Sequence, residues 1–172
     1  MRTTKKINKD VTLVYDVDEL VTDISQQCLL IGKAIERQGR DAHDVKDIED
    51  DNNREIMLNL VSRYFYDAVN MLSPYSKVPI KDKSVIGNEP DDADKYTMIL
   101  QFHAERSQTT ILHLRRLIHD YIVNNCVYKW VSKTTPDYPM NIYLQEITDT
   151  RDAISSALVA PYIGRVSIKP YG

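Results

Sequence analysis

The chain has 172 residues, of which 42% are hydrophobic and 27% charged, enough for one domain with a real core. Its formal charge of −3 argues against a general binder of phosphate backbones, and no apolar run approaches the roughly 20 residues that cross a bilayer. The opening MRTTKKINKD is basic but no apolar core follows it, so neither a secretory signal nor a membrane partner is expected.

Residues 11–15, VTLVY, are β-branched and aromatic and predict a first strand. Asp16 or Asp18 then offers an N-cap to a helix whose apolar residues Val17, Leu20, Val21, Ile24, Cys28, Ile31 and Ile35 recur in steps of three and four. Gly39 is the natural stop. The acidic stretch 41–55 reads as a solvated connector that ends in an N-cap at Asp50 to Asn52. A second helix follows through Met57, Leu60, Val61, Tyr64, Phe65, Ala68 and Leu72, and the Ser-Pro at 73–74 ends it. Residues 74–94 hold three prolines and the acidic run EPDDAD, and form a long loop.

KYTMILQF, residues 95–102, predicts a second strand. Ser107 or Thr109 caps a third helix with Ile111, Leu114, Ile118, Tyr121, Ile122 and Val127 to Trp130 inward. Pro136 and Pro139 bracket a stiff corner, and a fourth helix runs to Val159 with Tyr143, Leu144, Ile147, Ile154 and Leu158 facing the core. RVSIK, residues 165–169, reads as a last short strand. The order is strand, helix, helix, loop, strand, helix, helix, strand. It implies one mainly α (α+β) domain over 1–172: a core like a four-helix bundle with a few short strands. A basic arm (1–10), an acidic loop (74–94) and a C-terminal tail (161–172) extend from it.

The chemistry-bearing residues are sparse. Four histidines, His43, His103, His113 and His119, form no HExxH, and His113 and His119 lie about 240° apart around a helix, so they do not share a face. Cys28 and Cys126 sit in apolar helical patterns and read as buried reduced thiols. There is no GxSxG and no cluster among the five glycines to cradle a phosphate. The carboxylates at 41–55 and 89–94 lie in hydrophilic runs, and read as solvated or ion-paired faces, with a weak cation site at EPDDAD as the alternative. No catalytic residue, metal or cofactor is expected.

The interface signals are stronger. Arg2, Lys5, Lys6 and Lys9 make the N-terminal arm basic while Asp91, Asp92 and Asp94 make the loop acidic, an arrangement that suits one subunit's arm meeting the next subunit's loop. The chain has 11 tyrosines against two phenylalanines, and tyrosine suits half-buried contact positions. Tyr138, with part of Trp130, is expected to be presented to a neighbour by the corner VYKWVSKTTPDYP, and Tyr162 and Tyr171 of the tail take the same role.

The succession of VTLVYDVDEL entering a helix, YTMILQF at mid-chain, a long helix ending in an aromatic YKW stretch, a further helix and a C-terminal tail resembles the small neck, or head–tail connector, proteins of tailed bacteriophages. Those of Bacteroides phages and the crAss-like group are the nearest in layout. The resemblance spans most of the chain as an order of elements. It implies a virion protein, made in the host cytoplasm, whose copies form a ring with the portal's twelvefold symmetry. The portal protein and adjacent neck or tail proteins would be its neighbours, and DNA would pass only through the lumen, for which mild negative charge is suitable. It implies no catalysis. The alternative is a small helical cytosolic module that holds a partner peptide or helix in a groove. An enzyme would require His113, His119, Asp120 and Tyr121 to gather in an apolar pocket.

Overall fold

The computed structural model describes residues 8–48, 50–75, 94–104 and 106–159. Strand β1 (Asn8–Asp16) leads directly into α1 (Val17–Arg37), followed by the short α2 (His43–Lys46) and α3 (Asp51–Met71). A single 3₁₀ turn, Ser73–Tyr75, closes the first half. Strand β2 (Lys95–His103), α4 (Gln108–Thr134) and α5 (Asn141–Val159) make up the second. The fold is mainly helical with one small antiparallel sheet, as the sequence leads one to expect.

Helices α1 and α4 begin where the sequence supplies a side-chain cap. Asp16 Oδ1 accepts from the N–H groups of Asp18 (3.0 Å) and Glu19 (3.3 Å), which satisfies two of the orphan donors at the start of α1. Ser107 Oγ does the same for Thr109 N–H at 3.2 Å at the start of α4. Past α1, Gly39 has φ of +75°, the left-handed backbone that an L side chain rarely adopts, and its N–H closes on the Glu36 carbonyl at 2.9 Å.

The strands pair in register from Asn8 opposite His103 to Asp16 opposite Lys95. β1 is longer than VTLVY at both ends, so Asn8, Lys9 and Asp10 are strand residues rather than part of a free arm. One face of the sheet carries Leu13, Tyr15, Tyr96, Met98, Leu100 and Phe102, all buried. It packs on Phe65 of α3, whose ring stacks on Tyr96 at 4.7 Å and meets Tyr15 edge-on at 6.3 Å.

α4 is the centre of the bundle and packs against α1, α3 and α5. Its buried residues run from Ile111 to Val131. The expected core faces of α1, α3 and α4 are largely the observed ones; Leu60, Tyr64 and Tyr128 are half-buried rather than buried, and Lys129 of the Val127–Trp130 run is exposed.

Two expectations need correction. The acidic stretch 41–55 is not simply a solvated connector: Ala42, Val45 and Ile48, spaced three apart, are buried around α2, while His43 and Asp44 are exposed and Lys46 and Asp47 half-buried. In α5, Leu144 is 44% exposed rather than inward. The stripe that α5 turns toward the core runs through Tyr143, Ile147, Ile154 and Leu158, and Leu144 lies about a quarter-turn from its centre. The expected strand at 165–169 and the acidic loop from 76 to 93 lie outside the described residues.

Candidate interaction surface

Three elements meet at one face of the molecule: β1, the first two turns of α1 and the N-terminal half of α4. Gln108, Ile111, Leu112 and Arg115 follow one another at helical spacing, so a single stripe of α4 faces β1. Between that stripe and Val11, Thr12, Leu13 and Val14 lies a groove of about 240 Å³. Successive strand residues point to opposite faces, so a groove that touches four in a row follows the strand's edge. β2 pairs along the other edge, and among the described residues no further strand pairs with either. Leu112 is 56% exposed and Val14 is 36% exposed on this face.

The groove opens into a polar cleft of about 360 Å³, sharing Leu112 and Arg115 with it. The cleft's other walls are Glu19 and Asp23, one turn apart on α1, and Arg116, His119 and Asp120 on α4. His119 Nε2 meets Asp23 Oδ2 at 2.8 Å and so pins α1 to α4. Arg116 Nε stands 4.0 Å from Asp120 Oδ2 in an i,i+4 pair. Glu19 and Arg115 make no ion pair among the described residues, so the cleft presents one uncommitted charge of each sign. The Arg115 carbonyl is occupied: it accepts from the Tyr15 hydroxyl at 3.2 Å, and burial pushes that phenol's pKa well above its ordinary value.

The residues singled out in the sequence are distributed differently. Arg2, Lys5, Lys6, Asp91, Asp92, Tyr162 and Tyr171 lie outside the described residues. Lys9 is part of the fold, with its Nζ donating to the Arg106 carbonyl at 3.1 Å. Asp94 is exposed, and its carbonyl accepts from Val17 N–H at 3.0 Å at the start of α1. Trp130 is 3% exposed and donates its indole N–H to the Val45 carbonyl at 3.1 Å, so it anchors α2 in the subunit's own core and has no face to give a neighbour. Its place beside the stiff corner suggests a contact role, but the ring is covered once α2 folds back over it. Tyr138 is half-buried against the core, at a corner held by Tyr138 N–H to Thr135 carbonyl (3.0 Å) and Thr135 N–H to Val131 carbonyl (2.7 Å).

His113 is exposed, His119 and Asp120 line the cleft, and Tyr121 is buried in the core, so these four do not gather in an apolar pocket. No group of His, Cys, Asp and Glu among the described residues is placed to hold a metal ion. Both cysteines are free and buried, and burial pushes the Cys28 thiol up to about 12 and raises Cys126 as well.

The polar cleft was not anticipated from the sequence. Its signal is Glu19 and Asp23 four apart beside the apolar stripe of α1, and Arg115, Arg116, His119 and Asp120 flanking that of α4. Each set alone reads as an ordinary solvated flank, and only the helix pairing brings them together. No family model matches the chain, and comparison with curated proteins and with solved structures likewise gives no match.

Proposed function

We propose that the chain is a structural subunit of a tailed-phage neck, and that its copies join head to tail in a ring between portal and tail. The observation that carries self-assembly is the face built by β1, α1 and α4. It combines a strand edge bordered by an apolar groove with a cleft that holds an uncommitted charge of each sign. An open edge is a template for pairing with another chain. Charges of both signs beside it favour one register and disfavour others.

In the proposed ring this face contacts a different surface of the next copy, a heterologous contact, and heterologous contacts that close generate rings. The order of elements, which resembles that of neck proteins, supports the virion location. The α4-centred core gives each copy a stiff body, suited to a ring that carries force without chemistry.

Light scattering on the purified full chain tests the first part, and fitting the subunit into density of the virion neck tests the second. A ring-sized species and a matching density are the expected results. A monomer at tens of micromolar with no density in the virion overturns the reading.

A further inference from the structure

We infer that the groove beside β1 receives residues 165–169, RVSIK, of a neighbouring copy as an added strand antiparallel to β1. The inference rests on the self-assembly reading and names the contact that produces it.

Four observations bear on it. The first is fit in length: the α4 stripe that floors groove and cleft, from Gln108 to Asp120, is about 18 Å long, and a five-residue strand spans about 17 Å. The second is pattern. Val166 and Ile168 lie on one face of such a strand, suited to the Ile111 and Leu112 side of the groove, while Arg165, Ser167 and Lys169 lie on the other. The third is charge, because the segment carries two cations and no anion, and of the cleft's two uncommitted charges Glu19 attracts them while Arg115 does not.

The fourth is where the tail starts. Arg106 donates from its guanidinium to the carbonyls of Ala157 (3.1 Å) and Leu158 (2.9 Å), and its own carbonyl accepts from Lys9. The C-terminal end of α5 is therefore held beside the Lys9 end of β1. The six steps from Val159 to Arg165 then span at most about 20–22 Å, while the run from Lys9 to Val14 is itself about 17 Å. A chain's own segment thus enters its own groove most readily at the Lys9 end and runs parallel to β1; starting from the far end uses nearly all of that reach. A neighbour's segment has no such restriction and takes the antiparallel direction, the more stable pairing per residue.

Two measurements test this on the full-length chain. Ile168→Asp, outside the described residues, is expected to reduce the scattering mass to that of smaller species that keep the wild-type far-ultraviolet circular dichroism. For the second, Thr12→Cys or Val14→Cys, both on the outer face of β1, is mixed with Ser167→Cys and oxidised. A disulfide-linked heterodimer on a denaturing gel is expected, with Cys28 and Cys126 silent because they are buried. An oligomer that Ile168→Asp leaves intact overturns the inference. So does a cross-link that forms only within one chain carrying both cysteines, or no cross-link from either β1 position. These failures leave the ring reading standing if the wild-type chain is oligomeric. A wild-type monomer sinks the ring reading itself.

Discussion

Replacing Trp130 with phenylalanine isolates what holds α2 to the bundle. The indole is 3% exposed and its N–H is bonded to the carbonyl of Val45, a residue with no exposed surface. Phenylalanine keeps most of the apolar contact but leaves a void of roughly 40 Å³, which costs about 1 kcal/mol at about 24 cal/mol per Å³. It also strands the Val45 carbonyl without its indole donor, which costs about 1–3 kcal/mol. The expected loss is about 2–4 kcal/mol, or roughly 5–15 °C in thermal midpoint for a chain of this size. Urea unfolding followed by far-ultraviolet circular dichroism measures it without needing tryptophan fluorescence. Hydrogen exchange gives the local signature: the N–H groups of Lys46 and Asp47, bonded to the Ala42 and His43 carbonyls, should lose protection before those in the middle of α4. A loss below about 1 kcal/mol with unchanged exchange in α2 refutes the reasoning, because the Trp130–Val45 bond would then not organise that segment.

Phe65→Ala removes the ring between Tyr15 and Tyr96 and should cost about 3–5 kcal/mol in urea unfolding, as expected for a fully buried aromatic. The Cys28 thiol, ordinarily near 9.0 and pushed up to about 12 by burial, should resist Ellman's reagent at pH 8 until the chain unfolds. The native state keeps the proton that the unfolded state releases. The corresponding stability is therefore whole below pH 9 and falls between pH 9 and 12, by up to about 1.4 kcal/mol per pH unit, seen as a declining urea midpoint. Asp23→Asn weakens the partly exposed link to His119 and should cost no more than about 1 kcal/mol, with a smaller effect at high salt.

The apolar faces of α1, α3 and α4, the capping sites at Asp16 or Asp18 and at Ser107 or Thr109, the Gly39 stop and both strands were legible because each rests on local chemistry: helical or alternating spacing, a side-chain acceptor, a permissive backbone. β1 could not be bounded that way, since Asn8, Lys9 and Asp10 have no strand preference and are extended by pairing with Phe102 and its neighbours. Ala42, Val45 and Ile48 were hidden in a segment dominated by carboxylates. Their burial comes from packing on α1 and α4, and the Val45 carbonyl is bonded to Trp130, 85 residues away in sequence.

The class of fold and the order of its elements can be read along the chain, because periodicity and capping act over a few residues and need no partner. Where surfaces meet is set by the packing of distant elements. That packing turned Trp130 from a contact residue into a core anchor, paired Asp23 with His119 across 96 residues, and set the α4 stripe against the edge of β1. Such juxtapositions follow from how helices pack around α4, and nothing in the local chemistry of either partner records them.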